Sequence, residues 1–406
     1  MEKIVVTGMG AVTPVGIGVD TYWKNITSGV SGIDTIKSFD TSDLAVQIAG
    51  EIKNFVPSDY LPKDLIRKTD PFMQYAYIAA EEAIKQSNID IVPERTGITM
   101  GTAMSGIATT AFTQDALSGA SHKKVGPRFI PKILGNIAAA NISIIYNIQG
   151  PSFTISTACS SGGDAINMAC MCIQSGKADV MIAVGAESVL CPLVIYSLAN
   201  AKSLSRRNDT PKTASRPFDI TRDGFVIGEG GGALVIETEA HALARGAKIY
   251  AEIKSCGNTS DAYHVTAPHP EGRGAIACMK QALSDAKLSP SDIGYINAHG
   301  TATNKGDAVE IEAIKNIFTD KLPFVSSTKG ATGHMMGAGG ITETIACIKT
   351  IETGIIPPTI NLNEVGPECS GVDLVANTAK KAEINYAMSN AFGFGGQNSS
   401  VIVGKY

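Results

Sequence analysis

Three observations place this chain in the α/β class, as a duplicated βαβ-type unit with helices packed between mixed sheets. Short apolar, β-branched runs alternate with stretches whose apolar residues recur at helical spacing. The order strand, helix, strand starts again near Ile249, loosely and without detectable residue identity. No Pro/Ser-rich or charged linker separates the two parts, so residues 1–245 and 246–406 are expected to form two halves of one rigid body.

The first strand, IVVTG at 4–8, ends in a glycine turn. Its Gly8 and Gly10 lack the third glycine of a dinucleotide fingerprint, and Pro14 stands where the helix should run. Helices are expected over residues 21–29, around Trp23, and over 70–86. Residues 96–101 read as a strand and 128–147 as a helix with Pro131 near its start. Residues 153–155 are a strand, followed after Gly163 by a helix whose apolar positions are Ala165, Ile166, Ala169, Cys170 and Ile173, stopping at Gly176. Next come a strand at 180–185, a polar loop at 203–213 and a strand pair at 224–227 and 233–237. The second part repeats the pattern. Its strands are expected at 249–255, 293–298, 322–326 and 400–403, its helices at 274–286, 308–318 and 341–352.

With 406 residues, 44% hydrophobic and 18% charged, the chain is long enough for two or three cores and ordinary for a compact globular protein. Eight cysteines are scattered without CxxC spacing, and Cys170 and Cys172 are too close for an ordinary disulfide. No signal peptide is recognisable at Met1-Glu2-Lys3, so reduced thiols in a cytoplasmic setting are expected. The longest apolar region, 180–201, is interrupted by Gly185, Glu187 and Pro192, which argues against a membrane span. A net charge of −4 argues against general nucleic-acid binding. Local basic groups stand out even so: Lys63, Arg67 and Lys68; Lys123, Lys124 and Arg128; Lys202, Arg206 and Arg207. Each alone reads as a solvated face; together they suit an acidic partner.

The stretch GPSFTISTACSSGGDAINMACM, residues 150–171, runs strand, tight elbow, helix, and puts Cys159 at a helix N-terminus. Unpaired N–H groups and the positive end of the dipole there favour a thiolate. A lone cysteine is more often a buried small hydrophobe, but an elbow before a buried helix is a recurrent way to present a nucleophile. His299, in NAHGTAT, and His334, in STKGATGH, each follow a strand, where side chains converge in α/β folds. His122, His241, His264 and His269 lack that context. A Cys/His/His zinc site competes for the same three residues, although no fourth ligand and no usual ligand spacing is evident. The glycines of residues 390–398, NAFGFGGQN, let backbone N–H groups approach a ligand, as an oxyanion hole requires; taken alone, the stretch reads rather as a structural glycine-rich turn.

TACSS at Cys159, NAHGTAT at His299, STKGATGH at His334 and GFGG at Phe394 resemble the 3-oxoacyl-[acyl-carrier-protein] synthases. So do RPFDITRDGFVIGEGGGALVIE (216–237) and PPTINL (357–362), and the similarity spans essentially the whole chain. The Cys-His-His set is most similar to the type II elongating enzymes; initiating synthases carry Cys-His-Asn and thiolases a second Cys. The resemblance implies the thiolase-like, internally duplicated five-layered αβαβα fold and a homodimer. It implies decarboxylative Claisen condensation of an acyl chain with malonyl-acyl carrier protein, elongating by two carbons in fatty acid biosynthesis. Cys159 would carry the acyl chain, with the N–H groups of Cys159 and Phe394 as oxyanion hole. His299 and His334 would hydrogen-bond the malonyl thioester carbonyl, and Lys329, paired with Glu343, would organise the site. Thr301 and Thr303 match residues that bind the phosphopantetheine arm, and Met104 and Gly395 fall in the substrate-binding set. Lys63, Arg67, Lys68, Arg128 and Arg206 are the expected carrier-protein docking residues. No metal and no cofactor beyond the carrier's phosphopantetheine is implied.

Three departures bear on the substrate. Met104 stands where elongating relatives usually have a smaller branched residue. The segment at Arg128 is a few residues shorter than in close relatives, and Gln397 replaces the usual Thr after GFGG. These leave room for a ketosynthase of a specialised type II polyketide or polyene pathway. A non-catalytic partner subunit is disfavoured by the intact Cys159, and thiolysis by His334 in place of a second cysteine.

Overall fold

The computed structural model describes residues 2–118 and 125–406; Lys123 and Lys124 of the second basic group, and His122, lie outside the described residues. Ten principal strands carry the fold. They are β1 Ile4–Thr13, β2 Thr96–Gly101, β3 Ser152–Ile155, β4 Val180–Glu187, β5 Gly230–Thr238, β6 Ala251–Ser260, β7 Ile293–Asn297, β8 Phe324–Ser326, β9 Tyr386–Gly393 and β10 Gln397–Gly404. Their spatial order is β3-β2-β4-β5-β1 followed by β6-β10-β9-β7-β8. Adding five to each number of the first set gives the second read in reverse, from the edge inwards. In each set the two pairings nearest the sheet edge are parallel and the two nearest the centre are antiparallel. The sets meet where Ile4, Val5 and Val6 pair with Ile253, Glu252 and Ala251. The duplication expected from the loose repeat is therefore present as topology.

Five helices complete the layers: α1 Pro71–Ser87, α2 Ser161–Gln174, α3 Arg273–Ala286, α4 Asn304–Ile317 and α5 Gly339–Thr353. The helices α2 and α5 touch each other and both strand sets, and Ile166, Ala169, Ile341 and Ile345 share one core with residues from both. That is the central layer. Helix α1 covers β1, β5 and β4 on one outer face, while α3 and α4 form the opposite core with Ile293, Ile296 and Ile402. This is the five-layered thiolase-like fold. Only Met171 and Gln174 of α2 and Glu352 and Thr353 of α5 are exposed, as a central layer between two sheets requires.

Four expectations need correction. The strand β1 does not turn at its glycines but continues through them to Thr13. A Cβ at Gly8 would lie 2.1 Å from Ala83 O, and one at Gly10 1.9 Å from Ala79 O, so these glycines let α1 lie directly on the strand. The expected helix over 128–147 is two, Phe129–Ile133 and Asn136–Tyr146, broken at Leu134 and Gly135. Residues 224–227 form isolated bridges to Leu204 and His334 instead of a hairpin with β5. The glycine-rich 390–398 stretch is mostly paired strand, the ends of β9 and β10, with the turn confined to residues 394–396. The strand β9 was not expected because its buried YAMSNAFG lacks alternation.

Candidate active site

The connection from β3 to α2 is a strained elbow. Ala158 has φ +52, a left-handed conformation that a non-glycine residue adopts only when its surroundings enforce it. Enforcement comes from hydroxyls and one buried carboxylate. Thr157 N–H donates to Ser161 Oγ (2.9 Å), and the Thr157 and Ser160 hydroxyls donate to Asp164 at 2.5 and 3.0 Å. Asp164 also accepts from Asn258 of β6 (2.7 Å), tying the elbow to the second strand set. Cys159 sits in the short 3₁₀ turn that leads into α2, as expected.

The two histidines reach the same point from the other half. After β7, the N–H groups of His299 and Gly300 donate to the two oxygens of Glu310, each at 2.8 Å, and Ala302 N–H donates to Asp307 (3.1 Å). Both acids belong to α4. His334 is held between β8 and α5 by backbone bonds with Val226 (2.8 Å) and Gly228 (2.9 Å). The thiol of Cys159 and one ring nitrogen each of His299 and His334 lie within 4.8 Å of one another. The imidazoles meet edge to face at 5.2 Å between centroids, with Phe225 and Phe392 packed against them. Nδ1 of His299 and both ring nitrogens of His334 are buried without a protein partner, which leaves them free for a ligand.

Burial sets the charge states. It holds both imidazoles well below their ordinary value, and the Lys329 ammonium lowers them further, so both are neutral at pH 7. Burial also pushes the Cys159 thiol up to about 11, against the opposing pull of the Phe394 N–H and the Lys329 charge. The expected thiolate is thus a thiol in the free protein. Desolvation outweighs the backbone N–H groups of Phe394 and Cys159, which favour the charged sulfur. Lys329 forms a buried ion pair with Glu343, and both side chains are almost fully excluded from solvent. Burial raises the Glu343 carboxyl, while Lys329 lowers it.

Cys159, His299 and His334 line a cavity of about 770 Å³. Its wall includes Met104, Leu198, Phe225, Met336 and Phe392, with Thr301, Thr303 and Lys305 also contributing. Cys159 is the one cysteine in that wall among the described residues. The turn after β9 carries Phe394 to the thiol, whose charge its N–H favours. A Cβ at Gly393 would stand 3.1 Å from Cys159 N and 3.0 Å from Thr157 O, so only glycine leaves that approach open. Thr301 and Thr303 share a hydroxyl contact at 3.1 Å on the wall. Gly395 is not on the wall: at φ +88 its N–H donates to Val265 O (2.7 Å). Lys63, Arg67 and Lys68 are exposed on one short helix, and Arg128 is near enough to act with them on Asp64, whose carboxyl Lys68 lowers most. Arg206 lies apart from these, its N–H on Asp223, a cavity-wall residue.

A thiol, two neutral imidazoles with free nitrogens and converging backbone N–H groups can form and break a thioester and stabilise an enolate without an external base. The same three donors could take a metal ion. The Lys329 ammonium, whose field reaches all three, opposes a dication there. Glu310, Asp307 and Asp164 escaped the sequence reading. Asp307 and Glu310 fall in phase with Ile311, Ile314 and Ile317 on the buried stripe of α4, and acids on an apolar stripe were the available signal.

Similarity to known proteins agrees with this geometry. The family "Beta-ketoacyl synthase, N-terminal domain" matches residues 1–242, and "Beta-ketoacyl synthase, C-terminal domain" matches residues 250–363. The chain belongs to the beta-ketoacyl synthase family, an acyltransferase-class enzyme family. It is 42% identical over 410 residues to 3-oxoacyl-[acyl-carrier-protein] synthase 2 of Vibrio harveyi, covering 100% of this chain and 99% of that protein. It is 43% identical over 408 residues to the synthase 2 of Vibrio cholerae, covering 99% and 98%. Among solved structures, a beta-ketoacyl synthase from Burkholderia phymatum superposes with TM-score 0.93 at 33% identity, covering 100% of both chains. The ishigamide ketosynthase/chain length factor does so with TM-score 0.93 at 31% identity, covering 100% of this chain and 99% of that one.

Proposed function

We propose that this protein condenses acyl chains with malonyl-acyl carrier protein, lengthening them by two carbons to 3-oxoacyl-acyl carrier protein in fatty acid biosynthesis. The observation that carries the reading is the meeting of the Cys159 thiol with two neutral, unpartnered imidazoles in a largely apolar cavity. Full-length relatives named 3-oxoacyl-[acyl-carrier-protein] synthase 2 support it.

In the first half-reaction the Cys159 sulfur attacks the acyl thioester carbonyl, the N–H groups of Cys159 and Phe394 hold the oxyanion, and the carrier thiol leaves. Because Cys159 rests as a thiol, its proton departs as the C–S bond forms and ends on the leaving carrier sulfur, with an imidazole as relay. In the second, His299 and His334 donate to the malonyl thioester carbonyl. The carboxylate departs as carbon dioxide, and its electron pair forms the enolate. The enolate carbon then bonds to the acyl carbon, the C–S bond to Cys159 breaks with its electron pair going to sulfur, and the thiolate takes up a proton from water. Lys329, fixed by Glu343, keeps the imidazoles neutral and so able to donate without a counter-charge. Thr301 and Thr303 hold the phosphopantetheine arm, Met104 contributes to substrate placement from the cavity wall, and no metal takes part.

The carrier protein docks on Lys63, Arg67, Lys68 and Arg128, with Arg206 near the mouth; the exposure of all five supports this. The enzyme acts as a cytoplasmic homodimer. The edge strand β3, with exposed Phe153 and neighbouring Ile144 and Ile145, is an apolar edge suited to a second copy. Among the described residues no helix is long and apolar enough to cross a membrane. The boundary at 245/246 divides a half carrying the nucleophile from a half carrying both histidines, a division the repeated strand order supports.

A specialised ketosynthase is the second reading, supported by the likeness to the ishigamide ketosynthase/chain length factor and by Met104 on the cavity wall. Intact-protein mass spectrometry after incubation with carrier proteins loaded with graded chains separates the two. Acylation by saturated medium and long chains, lost in Cys159→Ala, is the expected result. Acylation only by short or unsaturated chains would move the assignment to the specialised pathway, and none by any loaded carrier would overturn both.

A further inference from the structure

We propose that Glu187, which the reaction does not touch, is the positioning residue that fixes the inner wall of the acyl cavity and so sets chain-length discrimination. The proposal rests on the acyl-condensing function above. Glu187 ends β4 and is fully buried. Its Oε1 accepts from the Thr102 hydroxyl and from Met104 N–H, both at 3.1 Å. Its Oε2 accepts from Ala103 N–H (2.6 Å) and Gly337 N–H (3.2 Å). One carboxylate thereby fastens two segments remote in sequence: the loop after β2, which carries Met104, and the turn after His334, which carries Met336. Both methionines line the cavity, and Glu187 itself does not.

Each fastened segment contains a non-glycine residue in the left-handed region, Ser105 at φ +52 and Met336 at φ +46. Such conformations persist only where the surroundings over-determine them. All four contacts on Glu187 are donors, so an ionised carboxylate answers all of them, whereas an amide would set its own N–H₂ against an N–H. Methionine is flexible, and a wall built from it discriminates only if its backbone is held.

The test is the chain-length profile of acylation and of condensation in Glu187→Gln, beside wild type and Met104→Ala. The expected result is a flattened profile. The ratio of rates between the best and worst accepted chains falls about tenfold, while Cys159 is still acylated. A purely structural role would lower all chains equally and leave the ratio intact; that outcome overturns the proposal. Should Glu187→Gln not fold, Thr102→Val removes one of the four donors and is expected to flatten the profile in the same sense, by less. Wild type that accepts no loaded carrier would instead overturn the function on which the proposal rests.

Discussion

The two halves of this chain have one strand order and opposite chemistry. In each half the third strand leads through a short connection into a buried central helix. The first half places Cys159 there, and the second His334. The loop after the second strand carries Met104 in one half and His299 in the other. The fourth strand ends on a clamping carboxylate, Glu187, in one half, and leads directly to the N–H of Phe394 in the other. The scaffold decides where groups converge, and the connections decide what they are. Desolvation acts on both contributions: it holds the imidazoles neutral and raises the Cys159 thiol.

The comparison can be broken most severely at the ion pair behind the histidines. Lys329→Met leaves Glu343 as an uncompensated buried charge, and a loss of about 3–5 kcal/mol in urea denaturation is expected. In whatever folds, both imidazole pKa values rise, because the Lys329 ammonium lowers both, and imidazole NMR titration reads that shift directly. Next come the histidines themselves. His299→Ala and His334→Ala should each slow condensation about 10²–10³-fold, the cost of one donor to a developing oxyanion. Acyl-Cys159 should still form, as read by intact mass. If acylation fell as steeply as condensation, the division of labour between the halves would be wrong.

Gly393→Ala sharpens the comparison at the junction of the halves. Its methyl would crowd Cys159 N–H at 3.1 Å, and an acylation rate lower by about tenfold is expected with little change in melting temperature. The smallest effect is on pH. Burial raises Glu187 and Glu229 in the first half and Glu310 in the second to about 7, and Asp307 to about 6. Their folded values exceed their unfolded ones, so the native state binds more protons in this window. The stability they confer is full below the unfolded values and is lost as pH rises through the folded ones. The urea midpoint should therefore be higher at about pH 6 than at about pH 8. Glu187→Gln and Glu310→Gln would show which half contributes more of that slope.

What the sequence determined by itself is local chemistry: the elbow at Cys159, the strand-end histidines, the helices α2, α3 and α5 and most strands, all legible because their signals lie within a few residues. It also carried the duplication, as a loose repeat. Tertiary structure alone decided three things. The strand β9 became visible only between β7 and β10, since a strand buried on both faces has no alternation to read. Gly8 and Gly10 proved to be sites of helix contact because α1 comes from more than sixty residues away. The charge states of Cys159, His299 and His334 follow from burial, and burial sums over neighbours from both halves that no local window contains.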